Sequence, residues 1–248
     1  MEKNWEYQPE QLINDNKPIP LNILQKCLEK QTAICKILTG NEKTGNENGG
    51  TGFFCKLNLK NETIIGLLTN NHVLNEDKIN LGSIIEIEHN KENKVIEITE
   101  NRFTRTNAKY DFTCIEILEN ENYNNYFEID GNIDTDNPDE QYKDQEIIMV
   151  QYPKLEEASF ASGKVNSIKK NYKIFHSIST EGGSSGSPII LMSGSLKIIG
   201  IHCGKLKKDK NLNRGNYMKV ILEDIQQHFI NNKLNLEEIK NIYKWELR

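Results

Sequence analysis

No run of apolar residues approaches the roughly 18 that a membrane-crossing helix needs, so no membrane association is expected. The opening residues, Met1-Glu2-Lys3-Asn4-Trp5-Glu6, lack the apolar stretch that directs secretion, and a cytoplasmic location is the expectation. Lys and Arg form no cluster, and the net charge of −5 argues against a nucleic-acid partner. Cysteine is sparse: Cys27, Cys35, Cys55, Cys114 and Cys203 form an odd set without CxxC spacing. Such a set reads as reduced, mostly buried thiols rather than a disulfide framework. No pair of potential ligands has local metal spacing, so neither a metal nor a cofactor is expected. Acids gather at Asp130, Asp134, Asp136 and Asp139, but the spacing and closing Glu of a calcium loop are missing, which predicts a solvated linker.

What the chain does contain is a succession of short runs rich in β-branched and aromatic residues, each bounded by Asn, Gly or charged turns. Residues 1–31 read as an N-terminal extension with a short helix, Leu21 to Gln31, whose Leu21, Ile23, Leu24 and Leu28 share a face. Six strands are expected within residues 32–118, at Thr32–Leu38, Gly52–Leu57, Thr63–Thr69, Ser83–His89, Lys94–Ile98 and Phe112–Leu118. Residues 119–145 form an acidic, Asn-rich connector with little regular structure. Six more strands are expected within residues 146–221, at Glu146–Tyr152, Ala158–Ile168, Tyr172–Ile178, Ser187–Met192, Lys197–Cys203 and Tyr217–Ile221. Residues 222–248 read as a helical tail with Leu222, Ile225, Phe229 and Ile230 at helical spacing, then Leu234, Ile239, Ile242 and Trp245. The predicted fold is all-β: two packed six-stranded antiparallel β-barrels with a C-terminal α-helix.

One stretch stands out, Gly182-Gly183-Ser184-Ser185-Gly186-Ser187-Pro188, lying between two strand-like runs. Gly183 permits a turn in which its own N–H and that of Ser185 aim at one oxyanion, and Gly186 keeps the far side of Ser185 clear. Ser185 rather than Ser184 is the candidate nucleophile, because Gly follows it and Pro stands three residues on. Upstream, His72 ends an apolar run in Thr69-Asn70-Asn71-His72-Val73, and Asp111 opens a strand in Tyr110-Asp111-Phe112-Thr113. Singly, each has a bland structural reading: a turn serine, a surface histidine, a capping acid.

Together with Gly50-Thr51-Gly52-Phe53-Phe54 and Ile198-Ile199-Gly200-Ile201-His202-Cys203-Gly204, these pieces resemble the chymotrypsin-like (trypsin-fold) serine peptidases. The resemblance spans roughly residues 32–230 and implies an active site in the cleft between two barrels, with a protein or peptide as substrate. It implies a triad of His72, Asp111 and Ser185, an oxyanion hole from the Gly183 and Ser185 amides, and substrate pairing along Cys203, Gly204 and Lys205. Ser184 stands where secreted members carry the acid of their zymogen switch, so the chain looks closer to intracellular, bacterial and viral branches. Ser179, six residues before Ser185, replaces the acid that trypsin-branch enzymes use against Lys or Arg. Gly200-Ile201-His202 and Thr180 instead resemble the pocket of glutamyl endopeptidases, which implies cleavage after Glu or Gln, with His176 a weaker pocket candidate.

Two other classes fit these residues less well. A catalytically silent member would bind extended peptides without cutting them, which the complete set of three residues argues against. An esterase-type elbow would lead from its serine into a helix, whereas Pro188-Ile189-Ile190-Leu191 continues as strand. Packing on the barrels, inhibition and binding of a regulatory protein partner are the roles open to residues 1–31.

Overall fold

Ile, Val, Phe and Thr recurring between polar turns favour pleated strands, and the computed structural model converts nearly every such run into sheet. It describes residues 19–40, 48–60, 62–170, 172–205 and 212–231; the expected apolar positions at Leu234, Ile239, Ile242 and Trp245 lie outside them. Helix α1 (Leu21–Glu29) leads into the fold. It buries Ile23 and Cys27 while Leu21 and Leu28 stand 82% and 68% exposed, so of the face set out from spacing Ile23 is buried and the two outer leucines are not.

The first sheet comprises β1 (Ile34–Leu38), β2 (Gly49–Leu59), β3 (Glu62–Thr69), β4 (Ile84–His89), β5 (Glu92–Glu97), β6 (Thr104–Asn107), β7 (Phe112–Ile117) and β8 (Phe127–Glu128). Its order is β5-β4-β1-β2-β3-β7-β6, with β8 parallel to β2. It is therefore an open, eight-stranded half-barrel rather than the closed six-stranded barrel expected. Its edges are polar, with Glu92, Lys94 and Glu97 on β5 and Thr-Arg-Thr-Asn in β6, a composition that discourages pairing with another chain. The same polarity hides β6 from a hydrophobic-pattern reading. Both faces of β2 are buried. Phe54 enters a core with Ile37, Leu67 and Val73, while Phe53, Cys55 and Leu57 join a second core shared with the other barrel.

The connector carries more structure than expected: β8, and helix α2 (Pro138–Tyr142). Two of its acids are tied down rather than solvated. Tyr142 donates its hydroxyl to Asp130 at 2.7 Å, and the Ile168 amide donates to Asp139 at 2.6 Å.

The second sheet closes. Strands β9 (Glu146–Gln151), β10 (Ser159–Ile168), β11 (Lys173–His176), β12 (Pro188–Leu191), β13 (Ile198–Lys205) and β14 (Asn213–Tyr217) form an antiparallel barrel in the order β10-β11-β14-β13-β12-β9. The expected last strand, Tyr217–Ile221, is displaced: the sheet ends at Tyr217, and residues 218–231 form helix α3. Asn213-Arg214-Gly215-Asn216 carries no apolar signal because Gly215 must pack tightly; a Cβ there would lie 2.5 Å from Ile189 and from the Ile201 carbonyl. Met218, Ile221, Ile225 and Phe229 are buried at helical spacing. Helix α3 returns to the half-barrel, where Arg105 of β6 grips Asp224 through Nε at 2.6 Å and Nη2 at 3.0 Å. The mostly β, double-barrel architecture with a C-terminal helix is thus the one expected, apart from the open edge of its first half.

Candidate active site

His72 sits in the turn that follows β3. The amides of Val73 and Leu74 donate to the Asn70 carbonyl at 3.2 and 3.1 Å, and both side chains anchor the turn in the half-barrel core. The imidazole is left 45% exposed at the cleft. Asp111 precedes β7 with φ at +48°, a left-handed conformation that Asp tolerates better than most residues. Its carboxylate receives His72 Nδ1 at 2.9 and 3.0 Å and the His72 amide at 3.1 Å. A carboxylate can only accept, so Nδ1 carries the proton and Nε2 of the neutral ring is the free base.

Around this pair lies a polar clamp that sequence reading missed. Asn70 Nδ2 donates to the Asp111 carbonyl at 2.9 Å, and Asn71 Nδ2 donates to Thr106 Oγ1 at 2.7 Å. Thr113 Oγ1 donates to the Leu74 carbonyl at 2.5 Å. Asn216 of β14 reaches across from the second barrel, donating to the Tyr110 carbonyl and, at 2.9 Å, to Cys203 Sγ. Burial, reinforced by the neighbouring Asp111 carboxylate, pushes the Cys203 thiol up to about 12, so it is a neutral packing group.

The Ser185 loop is clamped onto β2. The Thr51 amide donates to the Ser185 carbonyl at 2.8 Å, and Thr51 Oγ1 donates to the Gly183 carbonyl at 2.9 Å. Gly183 and Gly186 have φ of +87° and +90°, and a Cβ on Gly186 would lie 2.1 Å from the Thr51 carbonyl. These two positions require glycine. Ser184 is buried and its hydroxyl accepts from the Glu181 amide at 3.2 Å, whereas Ser185 is half-buried at the cleft. Among the described residues, the amides of Gly183 and Ser185 donate to no acceptor, and no hydrogen bond joins the Ser185 hydroxyl to His72.

Below the loop, His202 is buried and its carbonyl accepts from the Gly186 amide at 2.9 Å. His176 Nδ1 accepts from the Ile178 amide at 3.3 Å, which leaves the proton of this neutral ring on Nε2. That Nε2 lies 3.2 Å from His202 Nδ1, so His202 in turn carries its proton on Nε2. Burial lowers His176 to about 4, and burial together with the adjacent His176, His72 and Arg214 lowers His202 well below the usual histidine range. Thr180 Oγ1 accepts from Asn213 Nδ2 at 3.0 Å, leaving its own proton available. No direct hydrogen bond joins Thr180 to His202 among the described residues. Beyond Ile201, where pairing with β12 ends at Pro188, the edge of Cys203, Gly204 and Lys205 opposite β14 has no strand partner among the described residues.

Comparison with known proteins follows the same lines. The model of a trypsin-like peptidase domain matches residues 50–201. Among solved structures, a serine endoprotease from Yersinia pestis superposes with a TM-score of 0.60 at 14% identity, covering 85% of this chain and 68% of that one. The Rv3671c protease of M. tuberculosis in its active form gives 0.59 at 14% identity, covering 91% and 92%. A human astrovirus serine protease gives 0.50 at 14% identity, covering 76% and 90%. At such identities the likeness is one of fold. No curated protein matches by sequence.

Proposed function

Since the chain belongs to the trypsin-like peptidase domain family, we propose that it is a serine endopeptidase that cuts a protein substrate through an acyl-enzyme on Ser185. The observation that carries this reading is His72 held by both carboxylate oxygens of Asp111, at 2.9 and 3.0 Å, with Nε2 left free. In the mechanism, Nε2 takes the Ser185 proton as Oγ attacks the scissile carbonyl, then returns it to the leaving amine. Asp111 fixes the tautomer and stabilises the imidazolium. The unengaged amides of Gly183 and Ser185 receive the oxyanion, a contribution of about 3–4 kcal/mol per donor. The open edge of Cys203 to Lys205 pairs with the substrate as an added strand.

The pocket reading extends this to cleavage after Glu or Gln. His202 Nε2–H and the Thr180 hydroxyl are both donors, which suits a carboxylate or carboxamide oxygen and offers nothing to Lys or Arg. Five free, buried cysteines support an intracellular setting.

One observation favours a second reading, a peptide-binding module without turnover: Ser185 and His72 are not hydrogen-bonded to each other. Catalytic hydrogen bonds often tighten only around bound substrate, so digestion of a peptide library decides between the two. The peptidase reading expects cleavage by the wild-type chain and a loss on the order of 10⁶ in Ser185→Ala. Cleavage that persists in purified Ser185→Ala overturns it. His202→Ala is expected to lose preference for Glu and Gln; a wild-type profile dominated by Lys, Arg or large aromatics contradicts the pocket assignment.

A further inference from the structure

A cavity of 570 Å³ opens beside His72, on the opposite side of β13 from the buried His202 and His176. Its walls bring three cations together: Lys109 from the turn before Asp111, Lys173 from β11 and Arg214 from β14. Strand register explains the convergence. Lys173 pairs with Asn216, and residues 214 and 216 share one face of β14, so Lys173 and Arg214 project to the same side. Gly204 pairs with Arg214, brings no side chain of its own, and has no described residue within 4 Å of where a Cβ would stand, so Gly204 itself puts nothing beside Arg214 along the edge where a substrate strand would lie.

The charges are available for a ligand. Arg214 has no ion-pair partner among the described residues. Lys109 lies 4.9 Å from the Tyr110 ring centroid, and Lys173 donates to the neutral Asn216 side chain. Among the described residues on these walls Asp111 is the one carboxylate, and both its oxygens are taken up by His72.

In an extended substrate, alternate side chains point to opposite faces. If the residue at the scissile bond faces His202, the second and fourth residues before that bond face away from it, toward His72 and this cavity. We propose that the cavity is a subsite for acidic side chains, so that the substrate is an acidic segment with Asp or Glu at the second or fourth position before the cut. The proposal rests on the peptidase reading for its orientation and on the three converging cations for its chemistry.

The test compares peptide pairs that differ only by Glu against Gln at those two positions. With the wild-type chain, kcat/KM is expected to favour the Glu peptide about five- to tenfold at low salt, and the preference shrinks as ionic strength rises. In Arg214→Gln/Lys109→Gln the Glu/Gln ratio falls to about one, while Lys60→Gln, which removes a charge outside the cavity, keeps the wild-type ratio. A wild-type ratio near one, or a ratio that the double variant leaves intact, overturns the proposal. A second arm measures binding of the same peptides to Ser185→Ala by fluorescence anisotropy. If the wild-type chain cleaves nothing, the peptidase reading fails, and this arm alone judges the cavity: tighter binding of the Glu peptide upholds it, and equal binding refutes it.

Discussion

His176 and His202 are two titratable rings sealed against each other, and the consequence is measurable. An unfolded histidine takes up a proton near pH 6.5, whereas buried His176 does so only near about 4. Between those values the unfolded chain holds more protons than the folded one, so stability falls as pH falls through that window. Thermal unfolding between pH 7 and pH 4.5 is expected to show this slope, with each such proton contributing about 1.4 kcal/mol per pH unit. His176→Gln keeps a donor and an acceptor but removes the titration, and should flatten the profile. An identical profile in that variant contradicts the account. Glycine gives a second residue-scale contrast. Gly186→Ala meets the Thr51 carbonyl at 2.1 Å with φ at +90°, and the conformational strain alone costs about 1–3 kcal/mol. Gly182→Ala has no described residue within 4 Å of its added carbon and no left-handed backbone. Urea unfolding should separate the two; equal midpoints would remove the argument that the Ser185 loop is pressed onto β2.

At the scale of elements, the Ser185 loop and β2 act as one unit through Thr51, whose hydroxyl donates to Gly183 and accepts from the Tyr152 amide at 3.1 Å. Thr51→Val preserves shape but strands both partners, a cost of about 1–3 kcal/mol. Peptide turnover should drop with it, because the loop amides lose their fixed aim; unchanged turnover would show that the loop holds its geometry without β2. The same elements show what a sequence can and cannot reveal. Runs such as Thr63–Thr69 and Glu146–Tyr152 announce themselves because their apolar residues enter a core, whereas His72, Asp111 and Ser185 stand out as candidates only when their three local motifs are taken together. Strand β6 is silent because its Thr-Arg-Thr-Asn faces solvent and clamp residues, and β14 is silent because Gly215 and Asn216 are chosen for close approach and hydrogen bonding. Thr106 and Asn216 lie in no motif, and the roles of Asn70 and Asn71 are set by tertiary contacts: Asn71 meets Thr106 within the half-barrel, while Asn70 and Asn216 both reach Cys203 Sγ only where the two sheets meet.

For the molecule as a whole, two sheets meet at a shared core, and α3 returns from the second to grip the first through Arg105 and Asp224. All five cysteines are free and buried within this assembly. Reductant should therefore leave the melting temperature unchanged, whereas loss of a native disulfide would remove about 2–4 kcal/mol and many degrees. We propose that the meeting of the two halves makes Ser185 a nucleophile activated by His72. Labelling with a fluorophosphonate, read by intact mass and peptide mapping, tests it most directly. One adduct per chain is expected on Ser185, absent in Ser185→Ala and reduced by orders of magnitude in His72→Ala. A wild-type chain that stays unlabelled, or one labelled equally well without His72, would contradict it.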